Sequence, residues 1–154
     1  MPRCARVLPL LVLFLVARPL AGQSFVTPIQ DLNFGVVIRG VTTSVAPTDP
    51  VRRGRFYVKH ILNQQVGLRF TLPSRLDRVG GGATMPINFG ANDLMIQGTA
   101  SNSVPEFFNP HGNQNYKLDT SPDIYLNMGG QVSPAANQPT GAYLGTITLT
   151  CTFF

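Results

Sequence analysis

The sequence predicts an all-β domain, built as a two-sheet sandwich of about seven strands. Two observations favour this class: 15 Gly and 13 Pro stand among 154 residues, and apolar residues alternate with polar ones in several short runs. Gly and Pro destabilise helix interiors, whereas alternation is typical of half-buried strands. The chain is 44% hydrophobic and only 12% charged, which indicates a packed core rather than a disordered chain.

The closing segment carries the clearest alternation. Ile147, Leu149, Cys151 and Phe153 are separated by threonines, so the apolar residues share one face and the hydroxyls the other. Val66 to Leu72 alternates in the same way before Pro73. Further strands are predicted over Leu32 to Val37, Phe56 to His60, Met85 to Phe89, Leu94 to Gln97, and Ile124 to Met128.

Breaker-rich turns separate these runs, and their spacing favours two packed antiparallel sheets. Gly98 to Asn115 is long and polar for a loop, and it either stays a loop or hides a short strand. Within it, Phe107-Phe108 is either a plug folded onto the core or a small exposed binding patch.

The first 22 residues have the organisation of a cleaved secretory signal. Arg3 and Arg6 precede an apolar run from Val7 to Val16, and small residues follow it. That run is about half the roughly 20 residues needed to cross a bilayer, so no membrane span is expected. We expect residues 23–154 to form the mature chain, as a single domain.

Removal of this leader changes the charge of the protein. It takes three of the 12 basic residues and none of the seven acidic ones, so the formal net charge falls from +5 to +2. This small excess does not indicate nucleic-acid binding. Cys4 leaves with the leader, and Cys151 then has no partner for an intramolecular disulfide. Cys151 is predicted to act as a small hydrophobic side chain, a functional thiol being the alternative.

The sequence contains no motif that would bring together the residues of a catalytic site or a metal site. His60 and His111 are the only histidines, and the sequence places no nucleophile or acid beside either. Gly80-Gly81-Gly82 lacks the Lys that completes a phosphate loop. We expect no enzymatic activity, no cofactor and no metal.

One basic cluster stands out. Arg52, Arg53, Arg55 and Lys59 lie within eight residues, and they could contact polyanionic surface sugars or lipopolysaccharide. The alternative is an ordinary solvated loop and strand edge.

A family resemblance is carried by the C-terminus. Gly141 stands fourteenth from the end and the aromatic Phe153 next to last, as in pilin-type subunits. With Asp31 to Gly35, Phe70 to Pro73 and Gly129-Gly130 in this order, the chain resembles a secreted bacterial family, domain of unknown function 4402. That family is similar to spore coat protein U and to pilin or fimbrial subunits.

This resemblance implies an immunoglobulin-like Greek-key sandwich. It also implies export through the general secretion pathway of a Gram-negative bacterium, to the periplasm, cell surface or medium. The implied partners are a periplasmic chaperone or further copies of the chain, bound by strand addition. The implied strand groove lies beside five residues: Gly141, Ile147, Leu149, Cys151 and Phe153.

Two functional hypotheses follow. The first is a pilin-like or coat-like structural subunit that assembles by strand complementation, with Gln23 to Gln30 either donated to a neighbour or kept as the chain's own first strand. The second is a self-sufficient secreted sandwich that binds envelope polyanions or another surface protein. Its contact surface would be the basic cluster or Phe107-Phe108.

Overall fold

The computed structural model describes residues 25–59, 64–100, 102–117 and 123–154, and over these residues the all-β prediction is confirmed. It contains strands and no helix. The strands are β1 (Phe25–Gln30), β2 (Thr43–Val45), β3 (Gly54–Lys59), β4 (Gln65–Thr71), β5 (Arg75–Arg78), β6 (Thr84–Asn88), β7 (Leu94–Gly98), β8 (Glu106–Phe108), β9 (Gln114–Lys117), β10 (Asp123–Met128), β11 (Gly130–Val132), β12 (Tyr143–Leu144) and β13 (Thr148–Phe153).

These strands form three antiparallel sheets. The first sheet has the order β1-β3-β10-β7-β8, the second β12-β5-β6-β11-β2, and the third β13-β4-β9. In the first sheet Leu126 of β10 lies between Phe56 of β3 and Ile96 of β7. In the third sheet Leu149 lies opposite Phe70.

Over the described residues, one hydrophobic cluster joins the three sheets. Most strands contribute the side chains of one face, as the period of two requires. The buried members are Val58, Leu94, Ile96, Ile124, Leu126 and Met128 from the first sheet, Met85, Ile87 and Val132 from the second, Val66, Leu68 and Phe70 from the third, and Phe89 from a loop.

The long alternating strands fall where the sequence predicts them. Strand β4 covers Gln65–Thr71 against the predicted 66–72, and β13 covers Thr148–Phe153. The number of strands does not match, because thirteen strands in three sheets replace about seven in two. The additional strands are two to six residues long, and most are too short to show an alternating pattern of their own.

The predicted strand over Leu32 to Val37 is wrong. Asn33 Oδ1 accepts a hydrogen bond of 2.8 Å from the Gly35 amide, and Gly35 has φ +67°. A positive φ takes the backbone out of the extended conformation, so this segment cannot form a ladder. Leu32, Phe34 and Val37 nevertheless pack against the core.

The segment before Asp31 forms a strand of the chain's own sheet. Phe25–Gln30 is β1, which pairs antiparallel with β3, and its register shifts between Pro28 and Gln30. The leader over residues 1–22, with Cys4, and His60 at the end of a predicted strand lie outside the described residues.

The long polar stretch from Gly98 to Asn115 hides two short strand segments. Strand β8 pairs with β7, and β9 begins at Gln114 and pairs with β4. The two phenylalanines of this stretch differ in burial. Phe108 packs on the core, as predicted for a plug, whereas Phe107 is 49% exposed on the opposite face of β8.

Candidate functional site

An open groove lies between two parts of the chain that are a hundred residues apart in sequence. One wall is the irregular segment Leu32–Arg39, and the other is Gly141–Ile147. The groove has a volume of about 1130 Å³. Its lining includes apolar side chains that belong to or pack on the core: Phe56, Leu76, Met85, Ile87 and Val132. The floor of the groove is therefore formed by core side chains, of which Met85, Ile87 and Val132 are buried.

The N-terminal wall packs on the core through Leu32, Phe34 and Val37 but belongs to no sheet of the described residues. No strand pairs with it among the described residues. Its backbone is held near its two ends, by the Asn33 amide donating to Arg52 O at 2.8 Å and the Gly40 amide donating to Ala135 O at 3.2 Å. Val36, between these bonds, is 97% exposed. This wall therefore offers exposed apolar surface, and not a ladder-forming backbone, to a peptide in the groove.

The C-terminal wall contains one sheet edge, β12, and leads along the chain into a second, β13. Within the described chain, β12 is the edge strand of the second sheet and β13 that of the third, so each pairs on one side only. Leu144 of β12 is 66% exposed at the groove. An edge strand presents a row of N–H and C=O groups that another strand can pair with. The two edges follow each other along the chain from Tyr143 to Phe153.

Buried hydrogen bonds fix the entry to β12. Gln138 is 5% exposed, and its Nε2 donates to Thr84 O at 3.0 Å and to the Tyr143 hydroxyl at 2.7 Å. The Tyr143 hydroxyl in turn donates to Pro139 O at 2.7 Å. These bonds hold the Pro139–Tyr143 turn, and with it the groove wall, in one position.

The five predicted groove residues lie along one continuous segment. Gly141 and Ile147 line the groove, whereas Leu149, Cys151 and Phe153 follow along β13. Ile147, Leu149, Cys151 and Phe153 are half-buried and pack against the core, and the intervening threonines are exposed. Burial raises the pKa of the Cys151 thiol to about 11, so the thiol stays neutral near pH 7.

The basic cluster is dispersed by the fold. Arg52 forms an ion pair with Asp49, with Nε 2.9 Å from Oδ2. Arg53 is partly buried, and its Nη1 lies 3.4 Å from Pro47 O. Arg55 stacks on Tyr125 with its Cζ 3.7 Å from the ring centroid, and Lys59 lies at the far end of β3 over Phe25. Arg52 therefore leaves the cluster, Arg53 lies in the turn before β3, and Arg55 and Lys59 belong to β3.

Several residues that the sequence did not single out lie beside these cations. Tyr57 and Tyr125 have ring centroids 5.5 Å apart, and Asn127 is fully buried. The alternation in β3 and β10 would have predicted that these side chains share a face only if the pairing of the two strands had been known. His111 lies in its predicted turn, where its Nε2 is 3.0 Å from Phe89 O.

The described residues contain no group of three or more His, Cys, Asp or Glu side chains arranged to hold a metal ion. Over the same part of the chain, no helix has the length and apolar character needed to cross a membrane. No family model, curated protein or solved structure matches the sequence. The resemblance drawn from the C-terminal residues therefore stays a prediction.

Proposed function

We propose that the protein is an exported structural subunit of pilin or coat type, which assembles or binds by accepting an extended strand in the groove between Leu32–Arg39 and Gly141–Ile147. The observation that carries the proposal is that the unpaired edge of β12 borders a groove whose floor is formed by core side chains. The resemblance to the domain of unknown function 4402 family supports it, together with the signal-like leader. In this proposal the three sheets are an immunoglobulin-like sandwich that lacks one strand.

The chemistry of the groove suits an extended peptide with alternating apolar side chains. Edge groups of β12 and β13 would form ladder hydrogen bonds, and side chains on one face of the peptide would enter the apolar floor. Each side chain of Val, Leu, Ile or Phe that becomes fully buried contributes about 1.5–3 kcal/mol. A few such residues would change the stability of a small domain substantially, because its total stability is only about 5–15 kcal/mol.

The donor strand would be supplied by a periplasmic chaperone or by another copy of the chain. Within the copy, Gln23 to Gln30 is the candidate donor, since Phe25, Thr27 and Ile29 share a face. In the structure, residues 25–30 of this segment pair with the chain's own β3. Donation to a neighbour therefore requires β1 to leave β3, and Pro28 supplies no amide to either ladder.

The test is the solution mass and thermal stability of the processed protein, measured with and without a peptide copying Gln23 to Gln30. We expect the protein alone to self-associate or to unfold at low temperature, and the peptide to stabilise a monomer. A matched peptide with Phe25 and Ile29 replaced by serine should have little effect. A stable, cooperatively unfolding monomer that ignores the peptide would contradict the proposal and favour the self-sufficient secreted domain.

A further inference from the structure

The face of the first sheet opposite the core carries a row of aromatic rings. Phe25, Tyr57 and Tyr125 come from three neighbouring strands, with ring centroids 5.9 Å and 5.5 Å apart. Their chain neighbours Val58 and Ile124 are fully buried in the core, so alternation directs the rings to the other side. Phe25 is exposed and the two tyrosines are partly exposed.

Three cations accompany the rings. The Arg55 guanidinium lies 3.7 Å over the Tyr125 ring, and the Lys59 ammonium lies 5.7 Å from the Phe25 centroid. Arg53 is nearby in sequence, and its pKa is lowered first by burial and then by the charge of Arg55. The charge of Asp49 acts on the pKa of Arg53 in the opposite direction but does not cancel this lowering.

Buried polar atoms without a hydrogen-bond partner lie near the arginine side chains. Asn127 is directly opposite Arg55 in the pairing of β10 with β3, and it is 0% exposed. Its Oδ1 and Nδ2 have no hydrogen-bond partner, and the Nε atoms of Arg53 and Arg55 are also buried without one. Each unpaired buried group costs about 1–3 kcal/mol, so a ligand that pairs with them gains that free energy.

We propose that this face, defined by Phe25, Tyr57, Tyr125, Arg53, Arg55, Lys59 and Asn127, binds an acidic polysaccharide. The apolar faces of the sugar rings would pack on the aromatic row, and the sugar carboxylates would accept hydrogen bonds from the guanidinium groups. The unpaired Asn127 amide lies beneath this face, opposite Arg55 in the pairing of β10 with β3. This site lies apart from the strand groove, but it shares Phe25 with the candidate donor segment Gln23 to Gln30, so its aromatic row is complete only while β1 pairs with β3.

The arrangement fits a sugar acid better than a nucleic acid. The cations on or beside the described part of this face are Arg53, Arg55 and Lys59. The Asp123 carboxylate also lies on it, and its hydrogen bond with the Tyr57 hydroxyl raises the pKa of Tyr57. Asn127 needs both a donor and an acceptor, which hydroxyls and carboxylates together supply and a phosphodiester does not.

The test is binding of the processed protein to polygalacturonate, with its fully methyl-esterified form as the uncharged match and oligo-dT as the nucleic-acid probe. We expect measurable affinity for polygalacturonate and at least about tenfold weaker binding of the ester, because charge-assisted hydrogen bonds contribute about 1.5–3 kcal/mol each. Equal binding of the ester, or tighter binding of oligo-dT, would overturn the proposal.

Variants locate the site. Arg53→Gln with Arg55→Gln, and separately Tyr125→Ala, should weaken polygalacturonate binding at least about tenfold. Lys59→Gln, at an exposed position that cannot disturb folding greatly, should weaken it about two- to fivefold. The matched controls are Arg52→Gln, whose ion pair lies outside the site, and Arg69→Gln on β4. If the controls lose as much affinity as the site variants, the binding is general charge attraction and the proposal fails.

Discussion

Gly141 lies directly against the side chain of Arg78. A Cβ placed on Gly141 would come within 2.9 Å of Arg78 Nε, which donates a hydrogen bond of 2.8 Å to Thr140 O. Gly141 also has φ +144°, a conformation that other residues rarely adopt. The local structure at the start of the groove wall therefore explains why glycine, the residue that the resemblance singled out, suits position 141.

Gly141→Ala should consequently destabilise the protein, by about 1–3 kcal/mol, because strain and a steric clash act together. Gly81→Ala is the matched control, since Gly81 has φ +82° but a Cβ placed on it would meet no atom within 4 Å. Urea unfolding of both variants measures the difference. A loss in Gly141→Ala no larger than in Gly81→Ala would show that contact with Arg78 is unimportant.

The two faces of β13 should respond differently to truncation. Leu149 packs against the core and lies opposite Phe70, whereas Thr150 is exposed. Leu149→Ala should cost about 1–3 kcal/mol through lost burial, and Thr150→Ala a few tenths. Thermal or chemical unfolding of the two variants provides the comparison. Equal effects would contradict the assigned face of the strand.

The buried thiol of Cys151 should make stability fall at alkaline pH. Its folded pKa is raised from 9.0 to about 11 by burial, so the unfolded chain loses the proton first. This contribution is constant below pH 9 and is lost as the pH rises from 9 towards about 11. The measurement is unfolding free energy against pH for the wild type and Cys151→Ala. The wild type should show the steeper decline, and parallel curves would exclude the thiol as its source.

A charge in the groove should block strand addition without unfolding the subunit. Leu144 is 66% exposed at the groove, so Leu144→Asp should keep the fold and abolish stabilisation by the Gln23 to Gln30 peptide, because a carboxylate would be buried on binding. Val79→Asp is the control: Val79 is a 57% exposed aliphatic residue that does not line the groove. If the peptide stabilises both variants equally, the strand binds elsewhere.

The long strands could be predicted because each contains its own signal. In β4 and β13, alternating apolar residues mark both the conformation and the buried face. Short strands such as β2 and β11 carry no such signal, since three residues show no period and their extended conformation depends on a partner strand. Leu32 to Val37 is not a strand because the Asn33–Gly35 turn interrupts it, and among the described residues no strand pairs with it.

Only one of the two walls of the groove could be predicted from the sequence. The sequence marked its C-terminal wall through Gly141 and Ile147, but nothing in it indicated that Leu32–Arg39 lies across from them. The aromatic row could not be predicted from the sequence either, because Phe25, Tyr57 and Tyr125 are far apart in the chain and meet only in the folded sheet.

By itself, the sequence determined the all-β class, the extended conformation of the alternating segments and the face that each one buries, because side-chain period is a local property of the backbone. Tertiary structure alone decided which strands pair, where sheet edges stay open, and which distant side chains meet. These depend on pairing between segments that are distant in sequence, as β13 beside β4 and Leu32–Arg39 across from Gly141 show.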